Sequence, residues 1–495
     1  MTASMSLVCA GCGAILQPLT ARPFRCPHAR PGDDVDHVVR RVIDPTRWAG
    51  AGMAARASER VAGQADATNP FLRYRHRFHA HQLAVEYGLG DDGFVELVRK
   101  LDRAVAHVDG RGFRETPFER ADRLSAALGF EEGGGLWVKN ETGNVAGSHK
   151  GRHLGGLMLF LEVWEQLRAR GAVSGGGASG ADGRERPRLA IASCGNAALA
   201  AAVVARAAGW PLDVFVPPDA EPAVLERLQA LGARIATCPR LPDERGDPCY
   251  LRLHEAVDAG ALAFCVQGPD NGLTVEGGQT MAYEMLDRLG PVELDRIFVQ
   301  VGGGALASSL AEAFAEAHAA GVLRRLPRLH PVQTASAFPL KRAHDRVVAR
   351  VLGLSVDALG ATGTTAAHAD AIVESVPAAW TRRVLREAAQ HRSAFMWPWE
   401  TAPHSLAHGI LDDETYDWLA IVEGMLASGG WPVVVSEEDL ARANTLAASE
   451  TGIAVCHTGS AGLAGLLHLL DAGGTLAERL RGERVAVVFS GVRRG

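Results

Sequence analysis

The sequence predicts an α/β protein of two domains on open parallel sheets, with a small Cys/His ribbon-like segment in front. Three observations carry that prediction. Short apolar runs end four times in a turn of small residues: Leu136–Val138 before Asn144–Lys150, Leu189–Ala192 before Ser193–Asn196, Ile297–Val301 before Gly302–Leu306, and Val485–Phe489 before Ser490–Gly491. In an open α/β sheet such turns line one edge, outside the carboxyl ends of the strands, where ligands bind. Strand and helix patterns alternate from Leu189 to Thr237, the rhythm of right-handed βαβ units. Near the start stand a two-cysteine knuckle and, after a short loop, a Cys-Pro-His run.

Composition bounds the rest. A chain of 495 residues, 47% hydrophobic and 22% charged, is an ordinary globular protein long enough for two or three domains. A net charge of −6 gives no electrostatic footprint for nucleic acid or an anionic membrane. The start lacks a charged-then-apolar signal pattern, and no apolar run reaches bilayer length. Eight cysteines, scattered apart from the first cluster, fit a reducing, cytoplasmic setting. No internal repeat is present.

In chain order, Cys9-Ala10-Gly11-Cys12 and Cys26-Pro27-His28 supply four donors suited to tetrahedral zinc, with His37 competing for the place of His28. The alternative is a ribbon of free thiols. Trp48–Ala67 shows no clear strand. Tyr74–His81 alternates bases and aromatics; in an acidic chain this favours a structural or dimer-contact role over nucleic-acid contact. Phe94–Val108 carries Val95, Val98, Leu101 and Val105 on one helical face. Lys150, one of four lysines, stands just before the apolar helix Leu154–Leu167. Burial beside a helix start lowers an amine's pKa and makes it nucleophilic toward aldehydes; the bland reading is a lysine that snorkels. Gly171–Arg186 reads as an exposed loop. The alternation then runs helix Asn196–Ala208, strand Leu212–Val216, helix Glu221–Leu231 and strand Arg234–Thr237. Helix Thr274–Leu289 leads to the Gly302 turn. From Val347 to Pro432 the pattern is lost, and Phe395, Trp397 and Trp399 mark an inserted lid or a subunit contact. Order returns with Trp431–Val435, helix Glu437–Glu450 and a helix opened by Thr458–Ala461.

The four turns together resemble those of the fold type II pyridoxal-phosphate enzymes, the group of threonine synthase, serine/threonine dehydratase, cysteine synthase and the tryptophan synthase β chain. Thr142-Gly143-Asn144-Val145-Ala146-Gly147-Ser148-His149-Lys150 is similar to their lysine motif, usually Asn-Pro-Thr-Gly-Ser-Phe-Lys-Asp-Arg in threonine synthases. The resemblance runs from about Pro117 to the end. It implies a ribbon-like segment at 1–45, a large cofactor-binding domain from 46–145 and 266–495, and a smaller domain at 146–265. It implies that Lys150 holds pyridoxal 5'-phosphate as a Schiff base and serves as the base at Cα. The turn Gly302, Gly303, Gly304, Ala305 and Leu306 would cradle the phosphate on bare backbone N–H groups at a helix start; standing alone it is only a tight crossing. His149 either joins that anion site or packs in the turn. Asn196 would hold the phenolic oxygen and Ser193 the substrate carboxylate, although alone the turn is a helix cap. Ser490, in preference to Ser460, would meet the pyridine nitrogen.

A neutral hydroxyl there favours elimination or replacement at Cβ or Cγ over transamination. The chain is therefore expected to be a cytoplasmic, homodimeric lyase of small amino acids, threonine synthase-like, with a serine/threonine dehydratase or ammonia-lyase as the alternative. Zinc ribbons occur at the start of some threonine synthases, which favours a structural metal. The departures are Gly151 for Asp, His149 for Phe, and Cys194 inside the Ser-Gly-Asn turn. A catalytically silent binding protein of the same fold is the rival from another class.

Overall fold

A computed structural model describes residues 5–17, 24–30, 32–44, 67–173, 186–242, 244, 246–290, 292–360 and 363–494. Most of the stretches 48–67 and 171–186 lies outside the described residues. Among the described residues thirteen strands follow in chain order: β1 (Met5–Cys9), β2 (Ile15–Leu16), β3 (Val39–Ile43), β4 (Phe118–Arg120), β5 (Gly135–Asn140), β6 (Leu189–Ala192), β7 (Leu212–Val216), β8 (Arg234–Thr237), β9 (Leu262–Ala263), β10 (Arg296–Gln300), β11 (Arg328–Thr334), β12 (Val433–Val435) and β13 (Arg484–Phe489).

They form three sheets. A small antiparallel sheet has the order β2-β1-β3; a six-stranded sheet has β12-β11-β10-β13-β5-β4, parallel except for the edge strand β4; a four-stranded parallel sheet has β8-β7-β6-β9. Parallel strands need helical crossovers and end up covered on both faces, so β10 and β13 read as continuous apolar runs and are buried along almost their whole length. The alternation expected from Leu189 to Thr237 is what builds the four-stranded sheet.

Four helices place the site. Helix α1 (Lys150–Ala169) follows β5 through a short turn and is buried on most of its circumference, as its apolar sequence requires. Helix α2 (Asn196–Ala208) follows β6, α3 (Ala305–Ala319) follows β10, and α4 (Trp418–Ser428) packs on α3. Helices α1, α2 and α3 thus begin at carboxyl ends of parallel strands, α1 and α3 on the six-stranded sheet and α2 on the four-stranded one, and β13 delivers Ser490 to the carboxyl edge of the six-stranded sheet. The aromatic and basic stretch near Tyr74 makes contacts within the chain: Arg75 and His81 share Asp91, and Arg77 lies over the Tyr283 ring.

The stretch without periodicity folds as helices Pro339–Leu352, Ala366–Ser375 and Ala378–Gln390, then an irregular strap to Asp417. Arg342 stacks on Trp397, 3.7 Å to the ring centroid, and bonds Glu400 at 2.8 Å, so the aromatics pack against the helix Pro339–Leu352.

Candidate functional site

The turn before Lys150 has an unusual backbone. Ala146 takes φ +55°, a left-handed conformation that costs a residue with a Cβ. Its N–H donates to Asp109 Oδ2 at 3.0 Å and its carbonyl accepts from Arg494 at 2.9 Å. Gly151, where threonine synthases usually have Asp, has no room for a side chain: a Cβ would stand 2.7 Å from the Val145 carbonyl oxygen.

Beneath the turn lies a closed charge network. Arg152 donates to Glu141 at 2.8 and 3.0 Å and to Glu284 at 2.6 and 2.8 Å, while Lys139 pairs with Glu284 and Asn144 donates to Glu141 at 2.8 Å. All four charged side chains are buried, and two cations balance two carboxylates. Burial works against ionised Glu141, yet Arg152 and Lys139 outweigh it and hold the carboxyl down to about 2. The network fixes the start of α1, and with it Lys150.

Burial lowers the Lys150 pKa, with Asp412 and Asp417 pulling the other way. That shift enlarges the neutral, nucleophilic fraction of the amine. Beside it, the His149 backbone N–H donates to Ser490 Oγ at 3.1 Å and the His149 ring nitrogen Nδ1 contacts the same oxygen. Burial, then Lys150, keeps His149 neutral. Ser490 Oγ and His149 Nδ1 share one hydrogen bond, whose proton belongs to the hydroxyl or to the ring according to the imidazole tautomer. Ser460 is committed elsewhere, accepting from Asn444 at 3.1 Å and donating to the Cys456 carbonyl at 3.2 Å.

Asn196 opens α2, and its Oδ1 accepts from Arg494 at 2.6 Å. That contact fixes which end of the amide is oxygen and leaves Nδ2 as a donor. Ser193 follows β6, its Oγ accepting the Gly195 N–H at 3.3 Å.

The Gly302–Gly304 turn precedes α3, with Gly304 at φ +108°. It carries an anion already. Asp412 from the strap lies over it, where a Cβ on Gly302 would run into Oδ2, and the Gly303 N–H favours the ionised carboxylate. Burial nevertheless pushes Asp412 up to about 6, against the pull of Lys150. Thr415 Oγ1 donates to the Gly302 carbonyl and the Asp417 N–H to that of Gly303, both at 3.0 Å.

These features fit pyridoxal phosphate. A half-buried amine of lowered pKa, an amide with a free N–H, a hydroxyl beside a neutral histidine and a turn that holds a carboxylate are the groups such a cofactor needs. His149 Nε2 is also buried with no partner among the described residues. Sequence reasoning missed Asp412, Asp417 and Arg494. The first two lie in a strap without periodicity; the third sits in a terminal Arg-Arg pair that looks like solvent-facing charge.

At the N-terminus, Cys9, Cys12, Cys26 and His37 bring four ligand atoms within 4.8 Å of one another. His28, expected as the fourth donor, is exposed and reaches only Cys12 Sγ at 3.9 Å. The cause is register: β1 pairs with β3 so that Cys9 faces Val39, which carries His37 to within 3.4 Å of Cys9 Sγ. The far nitrogen of His37 contacts Asp33 at 3.2 Å, as metal-bound histidines do with carboxylates.

Comparison with known proteins gives the following. A family model described as pyridoxal-phosphate dependent enzyme matches residues 111–396. The threonine synthase of Methanocaldococcus jannaschii is 23% identical over 72% of this chain and 70% of its own length. That of Mycobacterium leprae is 26% identical over 76% of this chain and 80% of its own. The processed form of threonine deaminase isoform 2 from Solanum lycopersicum superposes with a TM-score of 0.53 at 14% identity, covering 82% of this chain and 90% of that one, a likeness of fold alone.

Proposed function

The chain belongs to the family of pyridoxal-phosphate-dependent enzymes, and we propose that it acts on a small amino acid by elimination or replacement at Cβ or Cγ, in the manner of a threonine synthase. The observation that carries the reading is convergence from both parallel sheets: Lys150 feels the Asp412 carboxylate that lies over the Gly302 turn, its neighbour His149 contacts the Ser490 hydroxyl, and the Asn196 amide stands beside Gly491. When bound, the cofactor supplies an aldehyde for amino groups and a ring that takes up the electron pair released at Cα.

The chain's own groups do the rest. The Gly302–Leu306 turn and the start of α3 hold the phosphate. Asn196 Nδ2 would donate to the phenolic oxygen. The Ser490 hydroxyl would face the ring nitrogen as a neutral partner, which restrains electron withdrawal and favours loss of a leaving group from Cβ or Cγ. Lys150 Nζ, its pKa lowered, removes and returns the proton at Cα. Ser193 receives the substrate carboxylate.

The β-elimination alternative, a serine or threonine dehydratase or ammonia-lyase, is favoured by the departures at His149, Gly151 and Cys194 from the threonine synthase pattern. Purified protein with cofactor separates the two. Ketoacid released from serine or threonine selects the dehydratase, phosphate released from phosphohomoserine selects the synthase, and neither product from a correctly loaded protein refutes both.

The division at 1–45, 46–145 with 266–495, and 146–265 is supported by the separate six- and four-stranded sheets. A structural zinc on Cys9, Cys12, Cys26 and His37 is supported by their clustering and by Asp33 behind His37. One equivalent of zinc in the purified protein, lost in Cys12→Ser and His37→Ala but kept in His28→Ala, is the expected result. The eight cysteines are all free, which supports a reducing compartment. A homodimer, expected from the resemblance, is read by light scattering.

A further inference from the structure

The strap between Trp397 and Asp417 is anchored at both ends and at several points between. At its start Arg342 stacks on Trp397 and bonds Glu400. At its end Thr415 and Asp417 bond the carbonyls of Gly302 and Gly303. Between them the Trp399 N–H bonds the Asp413 carbonyl at 2.8 Å, the His404 N–H bonds Ser336 at 2.8 Å and the Gly409 N–H bonds Thr458 at 3.0 Å. Its apolar anchorage is slight, with Ala407 and Ile410 the buried apolar residues between Trp399 and Thr415. Segments held by backbone bonds and few apolar contacts open at low cost.

The strap delivers one carboxylate, Asp412, onto the turn that the cofactor phosphate needs. Its oxygens lie over Gly302 and Gly303, the Tyr416 ring covers Gly303 with Cδ2 2.9 Å from the place of a Cβ, and Lys150 supplies the nearby positive field. A phosphate dianion and a carboxylate cannot share one set of backbone N–H groups, because like charges at that range repel strongly. The carboxylate and the phosphate are therefore alternatives.

We propose that Asp412 is a built-in occupant of the phosphate cradle, so that the cofactor loads when the strap 400–414 lifts and carries this carboxylate away. The inference rests on the cofactor reading above. It makes the strap a gate on holoenzyme formation, with Asp412 as the residue that sets how readily the apoenzyme fills.

The experiment compares cofactor-stripped wild type with Asp412→Ala and Asp412→Asn, following pyridoxal phosphate uptake by visible absorbance and by the retained ligand after gel filtration. Asp412→Ala is expected to load at least about tenfold faster or tighter, with Asp412→Asn, which keeps the shape and loses the charge, between it and wild type. Equal or weaker loading by a folded Asp412→Ala overturns the gate while leaving the cofactor assignment intact. Failure of wild type and both variants to take up the cofactor overturns the assignment and the gate together.

A second measurement needs no substitution. Hydrogen exchange of wild type with and without inorganic phosphate is expected to show protection lost at the amides of Trp399, His404 and Gly409 when phosphate is present. Unchanged protection with phosphate bound overturns the gate.

Discussion

Arg152→Met tests the network that positions Lys150. The five N–H groups of Arg152 face six acceptor atoms within hydrogen-bond distance, on Glu141, Glu284, Thr116 and Thr280, with its own side chain and both carboxylates almost wholly buried. Methionine keeps much of the volume and removes the charge, so two buried carboxylates are left to share Lys139. Removing one partner from a buried, hydrogen-bonded ion network costs about 3–5 kcal/mol, far more than the packing change. Arg152→Lys keeps the charge without the planar fork and falls between. The assay is urea unfolding of wild type and both variants at neutral pH. The double variant Arg152→Met with Glu141→Gln recovers part of the loss, since one stranded charge is gone. A loss under about 1 kcal/mol in Arg152→Met, the size of an exposed pair, would refute the claim that this network is a structural keystone.

Lys150→Ala lowers turnover roughly a thousandfold or more without changing the far-UV dichroism, because the residue is both attachment point and base. Gly303→Ala weakens pyridoxal phosphate retention about tenfold, read by equilibrium dialysis, because the added Cβ meets the Tyr416 ring and the tight turn carries the phosphate. Stability depends on pH near neutrality through Glu312, which burial pushes up to about 7 against the pull of Arg40. A carboxyl raised on folding contributes stability that is full below its ordinary value and lost as pH rises through about 7. The Glu312 contribution to the thermal midpoint is therefore larger at pH 6 than at pH 8, and it is read as the difference between wild type and Glu312→Gln at the two pH values; a difference that does not change with pH refutes the assignment to Glu312.

The parts legible in the sequence were those governed by local rules. A strand that ends in Gly302-Gly303-Gly304, or in Ser193-Cys194-Gly195-Asn196, announces its turn because small residues are needed there whatever lies elsewhere. The helix from Asn196 to Ala208 and the strand from Leu189 to Ala192 have the expected bounds for the same reason. What stayed hidden depends on partners far along the chain. Arg494 meets Asn196 across 298 positions, and Asp412 meets Gly302 through a strap whose Ala-Pro-His-Ser-Leu composition has neither helical nor strand period. His37 displaces His28 because a sheet register, not the spacing of the knuckle, decides which imidazole faces Cys9. The Glu141–Arg152–Glu284 network shows only as ordinary charges until folding buries them together.

The central claim is that Lys150 is the amine that holds the cofactor. Borohydride reduction of the protein loaded with pyridoxal phosphate, followed by peptide mapping, tests it most directly. The account predicts one pyridoxyl group per chain, on the peptide that contains Lys150 and on none that contains Lys100, Lys139 or Lys341. Label on one of those three instead, or no reducible label in protein that retains the cofactor, would contradict it.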